Sequence, residues 1–453
     1  MTLVRFAELA GATIHGIDPG TEFLGYSLDS RAITPGNLFI AIKGKRSDGH
    51  DHASEAIGAG AVAALVEWPV DAPHLLVKNL VEALSQFGAA RRNEFNGPVI
   101  AITGSNGKTA TKEFTAAACA PLGEVLKSPA NHNTEYTAPL VWDALTPETR
   151  IAVVEMGMRG LGQIAHLCKF SRPTIGVITM IGTAHVEMVG SREGIAEAKA
   201  ELLAGLEPGG TSILWAEDDF YGYLRERAPA AVRTFGFSPD AECRVLGYRA
   251  LSWDRCIVRG SLDGVQFETE LPTVGRHQAL NAAAAILAAH TAGVGVEDAA
   301  NAIRNAILPP LRMELRSVGK ATVLLDTYNA SPDSTVAAIK TLAELPAAGS
   351  KRVVLGEMRE LGSFAETGHR QVGRVLGESP VDEVLLFGEL TKFIESEAIR
   401  AGMDPTRIRH ASKLSDVANF LEALQPGDLV LMKGSRALEL ESAVPLDRGV
   451  STR

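Results

Sequence analysis

Residues 103–109 read Thr-Gly-Ser-Asn-Gly-Lys-Thr and combine two glycines with a lysine and three hydroxyl residues. They follow an apolar run and precede a helical pattern that we expect from residue 111 to about residue 120. Glycines let the backbone curl so that its N–H groups point at anionic oxygens, and a helix start adds a positive dipole end. The segment therefore predicts a phosphate loop in which Lys108 bridges the β- and γ-phosphates and the Thr109 hydroxyl binds Mg²⁺. The alternative is a glycine-rich turn with an exposed lysine.

Three further residues could carry metal or phosphate chemistry. Glu155 ends the apolar run 151–154, one strand after the loop, where a carboxylate suits Mg²⁺. It could instead be a solvated or capping glutamate. His185 follows the next apolar run, and Lys199 lies in a helical pattern. Taken alone, such a histidine is usually a satisfied polar residue, and such a lysine usually belongs to a solvated helix face.

The elements that position these residues alternate between apolar runs and helical patterns, which predicts an α/β architecture. Near-continuous apolar runs indicate parallel sheets that are covered on both faces. Ligands of such sheets bind beyond the carboxyl ends of the strands, so the polar residues after each run form the candidate site. The expected strands span residues 99–103, 151–154, 174–179, 322–326, 352–356, 383–388 and 428–434.

Turn-prone segments divide the chain into three blocks. The first, 1–96, ends at an Asn-Gly-Pro turn; the second, 97–312, ends just beyond a Pro-Pro pair; the third, 313–453, holds four of the expected strands. Residues 240–271 show alternation more clearly than helical periodicity, so we expect a β-rich insert in the second block.

Composition excludes several classes of protein. The net charge of −10, without a long basic run, argues against a nucleic-acid binder and requires local basic or N–H-rich sites for anionic substrates. No Cys-x-x-Cys spacing occurs, so we expect reduced thiols at Cys119, Cys168, Cys243 and Cys256. The longest apolar run, 282–289, is too short to cross a bilayer, and the N-terminus lacks a signal-peptide core. We expect a cytoplasmic protein.

The Gly-x-x-Gly-Lys-Thr spacing resembles the phosphate loop of the Mur ligase and folylpolyglutamate synthase superfamily. That resemblance assigns ATP contacts to Gly104, Ser105, Asn106, Gly107, Lys108, Thr109 and Ala110. It implies a catalytic set of Lys108, Glu155, His185 and Lys199. It also implies two Mg²⁺ ions bound by Thr109, Glu155, His185 and Lys199, with the lysine carbamylated by CO₂ into a metal-binding anion.

Later segments extend the resemblance. His277 and Asn281 match residues near the adenine, although helix capping and surface polarity would also explain them. Arg312 matches an arginine near the phosphates, and Asp326, at a strand end, suits a ribose hydroxyl. Residues 326–334 read Asp-Thr-Tyr-Asn-Ala-Ser-Pro-Asp-Ser and resemble the Mur ligases that add D-alanyl-D-alanine. They imply substrate contacts at Tyr328, Asn329 and Asp333, although a helix start explains part of this segment.

The first block resembles the UDP-sugar module of the same family, which implies substrate contacts at Ser30, Arg31, Asp48 and His50. A loop after the phosphate-loop helix would face the UDP-muramoyl group through Asn131, Asn133, Thr134 and Glu135. This loop departs from the family pattern at Thr134, where asparagine is usual, and at Thr137, where glycine is usual. Threonine adopts positive φ less readily than glycine, so we expect the loop to run differently.

The resemblance spans residues 29–436. It implies a UDP-sugar-binding N-terminal domain, a central ATP-binding domain with a parallel sheet, and a Rossmann-like C-terminal domain that binds the dipeptide and closes on ATP. The implied reaction is ATP-dependent ligation of D-alanyl-D-alanine to UDP-N-acetylmuramoyl-tripeptide through an acyl phosphate, in peptidoglycan synthesis. We expect a monomer that acts on small molecules, without nucleic acid or membrane insertion. The alternatives are a Mur-type ligase that adds another amino acid or dipeptide, and a nucleotide-binding relative without turnover.

Overall fold

The computed structural model describes residues 1–44, 47–229 and 231–445. Residues 446–453 of the predicted third block therefore lie outside the described residues. The chain forms two compact units, one of residues 1–97, 132–149 and 165–172 and one of residues 98–131, 150–164 and 173–453. The division into three blocks stays a prediction.

Capping residues mark both ends of the first helix. It starts at the capping side chain of Thr2 and ends at the left-handed Gly11. The α-helices are α1 Leu3–Ala10, α2 Ala53–Gly58, α3 Leu80–Arg92, α4 Lys108–Cys119, α5 Gln163–Ser171, α6 Val186–Val189, α7 Arg192–Ala204, α8 Tyr221–Arg227, α9 Arg276–Thr291, α10 Val296–Ala302, α11 Pro332–Glu344, α12 Ala365–Gly377, α13 Lys392–Arg400 and α14 Leu414–Glu422.

The first unit is built on a five-stranded sheet with the order β1-β5-β4-β3-β2. Its strands are β1 Thr13–His15, β2 Gly25–Ser27, β3 Asn37–Ile40, β4 Ala63–Val66 and β5 His74–Leu76. Only β1 pairs in the antiparallel sense. The aromatic rings of Phe6, Phe23, Tyr26 and Phe87 pack together in the core beneath α1 and α3.

The second unit contains a nine-stranded sheet with the order β14-β13-β12-β11-β10-β9-β6-β8-β7. Its strands are β6 Val99–Thr103, β7 Glu124–Lys127, β8 Thr149–Glu155, β9 Ile175–Ile178, β10 Thr211–Trp215, β11 Ala231–Gly236, β12 Cys243–Ala250, β13 Cys256–Leu262 and β14 Val265–Leu271. Strands β6 and β8 to β12 are joined in parallel. The predicted insert at 240–271 is β-rich, but it continues this sheet through antiparallel β13 and β14.

The same unit contains a six-stranded sheet with the order β15-β16-β20-β17-β18-β19. Its strands are β15 Glu314–Val318, β16 Ala321–Leu325, β17 Lys351–Gly356, β18 Glu383–Phe387, β19 Ile408–Ala411 and β20 Leu429–Lys433. All pairings are parallel except β15 with β16. The expectation of four strands was too low, because the half-exposed β15 and β19 form no continuous apolar run.

These sheets place the polar residues predicted from the sequence at the carboxyl ends of buried strands. The phosphate loop follows β6, Glu155 ends β8, and Asp326 follows β16. Helices α4 and α9 pack on each other beside the nine-stranded sheet. No helix within the described ranges is both long enough and apolar enough to cross a bilayer. All four cysteines are buried and free of disulfides.

Candidate functional site

The phosphate loop turns between β6 and α4 through two glycines with positive φ. Gly104 has φ 148°, and any side chain there would collide with the Thr179 hydroxyl. Gly107 has φ 83° and caps α4, and a Cβ at this position would lie 2.5 Å from Asn281 Oδ1. The loop therefore requires glycine at both positions. Helix α4 begins at Lys108, three residues earlier than expected, because Gly107 already serves as its cap.

Lys108 lies over this loop. Its ammonium donates hydrogen bonds to the carbonyl oxygens of Gly104, at 2.8 Å, and Ser105, at 3.4 Å. Burial lowers the pKa of Lys108, an effect that nearby Glu155 opposes and Arg312 reinforces. A cation held against a curled loop at a helix start is suited to binding nucleotide phosphates.

Residues 179–183 tie the loop to the strand beside it. The Thr179 hydroxyl donates to Asn106 O at 2.6 Å, and Ser105 N–H donates to Met180 O at 2.9 Å. Gly182 N–H donates to Ser105 Oγ at 2.9 Å, and Ile181 N–H donates to Asp218 at 2.8 Å. Side-chain and backbone bonds therefore fix the segment that leads to His185.

Glu155 and Lys199 are both buried, with exposed fractions of 2% and 1%. The readings of Glu155 as a solvated glutamate and of Lys199 as part of a solvated helix face are therefore wrong for this fold. Lys199 lies on α7, and burial together with the charge of Lys108 lowers its pKa well below the ordinary value. A buried lysine beside a second cation favours its neutral amine form.

Arg312 reaches the phosphate loop from the link between the two sheets of this unit. Its NH2 donates to Thr109 Oγ1 at 3.1 Å, and its guanidinium lies 4.1 Å from the centre of the Tyr328 ring. Its Nε is buried and lacks a hydrogen-bond partner among the described residues, so this donor is available for a ligand oxygen. Both neighbours, Leu311 and Met313, have positive φ, of 63° and 54°. Such strain is commonly found at functional sites.

His277 and Asn281 lie on α9, in the first turns after Gly275. Burial lowers the pKa of His277 to about 4; Asp326 opposes this shift and Lys433 adds to it. The imidazole is therefore neutral at pH 7 and able to hydrogen-bond a base or hydroxyl. Asn281 is buried and donates to Gln278 at 3.0 Å.

Asp326 does not stand alone at its strand end. Its Oδ2 lies 2.6 Å from the ammonium of Lys433, at the end of the neighbouring strand β20. The same ammonium donates to Asn329 O at 2.9 Å. Lys433 therefore holds both ends of the 326–329 segment, which carries Tyr328. The predicted ribose contact of Asp326 stays a prediction.

Asp333 contacts the segment before His185. Its Oδ2 accepts hydrogen bonds from Thr183 N–H and from the Thr183 hydroxyl, both at 2.9 Å. His185, with φ 64°, places Nδ1 2.7 Å from Glu360 Oε2, and this contact lowers the pKa of Glu360. The carboxylates of Asp333 and Glu360 therefore hold residues 183–185 in place by contacting Thr183 and His185.

The other unit holds the predicted UDP-sugar residues. Ser30 opens a short helical turn that Asp29 caps, and the exposed Arg31 pairs with Asp29 at 2.7 Å. The Nε2 atom of His50 accepts from Glu67 N–H at 2.9 Å, so its Nδ1 carries the proton that faces Asp48 at 2.6 Å. The imidazole stacks on Trp68 with ring centroids 3.6 Å apart.

The loop that departs from the family pattern is closed by its threonines. Thr134 N–H and hydroxyl contact Thr137 Oγ1 at 3.3 and 3.0 Å. Thr137 does not have positive φ; the left-handed residue of this stretch is Ala130, with φ 44°. Asn131 is exposed in the second unit, while Asn133, Thr134 and Glu135 belong to the first.

Several neighbours of these residues were not predicted as site residues. Spacing in the sequence did not single them out, because their partners lie far along the chain or on other elements. They are Thr183, Glu360, Lys433 and Lys112. Glu360 and Lys433 lie within residues 29–436, the span of the family resemblance, and that signal could have placed both in the site.

Comparison with known proteins accords with this geometry. Three domain descriptions match: "Mur ligase family, catalytic domain" at residues 22–92, "Mur ligase middle domain" at 102–289 and "Mur ligase, glutamate ligase domain" at 311–436. The UDP-N-acetylmuramoyl-tripeptide–D-alanyl-D-alanine ligase of Bacillus subtilis is 34% identical over 451 residues, which cover 98% of this chain and 97% of the relative.

Solved structures give the same result. MurF from Acinetobacter baumannii is 30% identical with a TM-score of 0.84, over 98% of this chain and 97% of that one. MurF from Thermotoga maritima in complex with ADP is 30% identical with a TM-score of 0.77, over 93% and 96% of the two chains. The predicted α/β class and Mur ligase architecture are confirmed. The chain belongs to the Mur ligase family.

Proposed function

We propose that this protein is an ATP-dependent ligase that joins D-alanyl-D-alanine to UDP-N-acetylmuramoyl-tripeptide, giving the pentapeptide precursor, ADP and phosphate. The observation that carries the proposal is near full-length similarity to ligases of that name, together with an intact phosphate loop. The tripeptide carboxylate attacks the γ-phosphorus of ATP, which releases ADP and leaves an acyl phosphate. The dipeptide amine then attacks the acyl carbon, forming the amide and releasing phosphate and a proton.

The charges on this chain suit that first step. The carboxylate and the triphosphate repel each other, so cations must offset the negative charge that gathers in the transition state. Lys108 lies on the loop, and Arg312 brings a guanidinium with a free buried Nε to Thr109. Neutral His277 and the paired Asp326 and Lys433 provide hydrogen-bonding groups for the nucleoside.

We also propose that the reaction uses Mg²⁺. Thr109 and Glu155 are two oxygen donors beside the phosphate loop, and they fit an ion that takes its other ligands from phosphates and water. When bound, Mg²⁺ neutralises phosphate charge and orients the γ-phosphoryl group. Within the described part of the chain, no three His, Cys, Asp or Glu side chains form a metal site. His185 instead faces Glu360, so a second ion stays a prediction.

Lys199 supports a further element of this proposal. As an ammonium it cannot bind a metal, whereas its neutral amine can add to CO₂, forming a carbamate and releasing a proton. Its burial next to Lys108 favours the neutral form. The product would be an anion that compensates the neighbouring ammonium.

The remaining assignments follow from the proposed reaction. We assign UDP-sugar binding to residues 1–96, ATP binding to 97–312, and dipeptide binding with closure on ATP to 313–453. The ligase would act as a cytoplasmic monomer, and its product would serve peptidoglycan assembly and thereby cell shape and division.

The proposed function predicts phosphate release that requires both substrates. With ATP, Mg²⁺ and UDP-N-acetylmuramoyl-tripeptide, addition of D-alanyl-D-alanine should raise the rate far above the rate without dipeptide, since the amine completes turnover. A coupled phosphate assay measures this, and mass spectrometry identifies the pentapeptide. Release only with another amino acid or dipeptide would favour a different ligase, and nucleotide binding without release would favour a relative that has lost turnover.

The contact between Asp333 and Thr183 predicts a coupled effect on kcat. Asp333→Asn should lower kcat about tenfold, since it weakens charged hydrogen bonds that hold the segment before His185. Thr183→Val removes the hydroxyl donor, and the double variant should lose less than the product of the two single losses. Steady-state kinetics of the three variants measures this coupling.

The exposed Asp240 supplies a control, because Asp240→Asn changes the same charge away from the site. A different outcome would support the substrate contact that the resemblance implies for Asp333. In that case Asp333→Asn would raise the KM for the dipeptide, and Thr183→Val would leave both constants unchanged.

A further inference from the structure

The second lysine of α4 is buried among oxygen atoms. Lys112 lies one helical turn after Lys108, and its side chain is fully buried. Its ammonium donates to Ser128 O at 2.8 Å and Ala130 O at 3.0 Å, and lies 2.9 Å from Glu113 Oε1. An ammonium has three N–H donors, so these three oxygens satisfy all of them. Lys112 therefore binds backbone carbonyl oxygens, and its ammonium has no N–H donor left for a nucleotide.

Glu113, and not a group of the phosphate loop, balances the charge of Lys112. Glu113 is buried and places its other oxygen, Oε2, 2.5 Å from Lys127. Lys127 is half-exposed, so the row of three charges reaches solvent at one end. Because Glu113 keeps Lys127 as a partner, removing the Lys112 ammonium does not leave an isolated buried carboxylate.

The backbone that Lys112 holds is a strained turn, residues 128–131. Ala130 has φ 44°, a left-handed conformation that residues with a Cβ rarely adopt. The buried Ser128 anchors the other end: its N–H donates to Val153 O, and its Oγ accepts from Glu155 N–H, both at 3.1 Å. The turn is thus tied to β8 and to Glu155, and it presents the exposed Asn131.

We propose that Lys112 is a positioning residue that fixes turn 128–131 against α4. Helix α4 then positions three groups. Lys108 and Thr109 lie at its start, and Lys112, four residues later, holds turn 128–131, which carries Asn131 and contacts Glu155. The carbonyl of Ala130 directly precedes Asn131, so losing its cationic partner frees the left-handed residue to relax and moves the asparagine. The predicted effect on substrate binding rests on the proposed function, whereas the effect on the turn does not.

The test compares Lys112→Met with Glu113→Gln. Methionine keeps the apolar stem and removes the ammonium, whereas glutamine can still accept from Lys112 and leaves both carbonyl contacts in place. In Lys112→Met, hydrogen exchange of the amides in the turn should accelerate about tenfold or more, and the KM for UDP-N-acetylmuramoyl-tripeptide should rise by a similar factor. ATP affinity should change less than about threefold, because the phosphate loop retains its own contacts. Glu113→Gln removes the counterion of Lys112 and should lower Tm, but it keeps both carbonyl contacts, so exchange in the turn and the KM should change clearly less than in Lys112→Met.

Two substitutions at the exposed Ala130 test the conformation of the turn directly. Ala130→Gly in the Lys112→Met background should recover part of the lost affinity, since glycine adopts positive φ without strain. Ala130→Val should reproduce the KM rise with Lys112 intact, and it remains informative if Lys112→Met fails to fold. The proposal would be overturned if Lys112→Met and Glu113→Gln lowered the protection of the turn amides equally, if Tm fell, and if Ala130→Gly restored no affinity. Lys112 would then stabilise the fold without positioning the turn. If the wild type releases no phosphate, the proposed function fails while hydrogen exchange still decides this inference.

Discussion

Replacing Lys108 with alanine is expected to lower kcat for dipeptide-dependent phosphate release by about a hundredfold or more. The ammonium lies on the Gly104 carbonyl, at the start of α4, where phosphate oxygens would displace that contact. No other described lysine occupies this loop, so the variant loses charge that offsets repulsion between the carboxylate and ATP. The loss should fall mainly on kcat, because that repulsion is greatest in the transition state.

The matched control is Lys340→Ala, which removes an exposed lysine from α11. Both variants should keep a wild-type circular dichroism spectrum and Tm within a few degrees. Turnover of Lys108→Ala near the wild-type rate would refute the phosphate-loop assignment. A large drop in Tm would make the kinetic loss a folding effect, and ADP binding by calorimetry would then separate the two.

The second large effect is expected at Lys199. Lys199→Met keeps the bulk of a buried side chain and removes the amine, and it should lower kcat by about a hundredfold or more if the carbamate takes part in metal binding. Lys199→Arg should not restore activity, because a guanidinium does not form a carbamate. Wild-type enzyme in CO₂-depleted buffer should lose activity and regain it on addition of bicarbonate, and neither variant should respond.

The lowered pKa of Lys199 sets the pH trend of this effect. A lower pKa leaves more neutral amine at a given pH, so carbamylation should persist towards neutral pH. Full activity of Lys199→Met, or electron density for an unmodified amine in an active crystal, would contradict the carbamate.

The positions of candidate site residues could be predicted from the sequence where those residues directly follow an apolar run. The phosphate loop, Glu155 and the 326–334 segment each follow an apolar run, and the structure places each one at a strand end. Strands β15 and β19 were missed because residues such as Arg316 and Arg409 face solvent and interrupt the apolar pattern.

Contacts between distant residues could not be predicted in this way. Asp333 and Thr183 are 150 positions apart, and neither type of residue implies the other. The role of Lys112 could not be predicted from the sequence for a different reason. Helix α4 is buried on nearly every side, so it has no polar face from which helical periodicity could identify a buried cation.

The two left-handed residues beside Arg312 also bear on how this link responds to ligand. For residues with a Cβ, such a conformation costs about 1–2 kcal/mol each, so Leu311 and Met313 together store roughly 2–4 kcal/mol. An arrangement that relaxed both would gain a population advantage of about thirtyfold or more, at tenfold per 1.4 kcal/mol. In this structure the hydrogen bond from Arg312 to Thr109 and the contacts of Asp333 and Glu360 with Thr183 and His185 must offset that cost. If those contacts were weakened, the strain at Leu311 and Met313 would favour the relaxed conformation of the link.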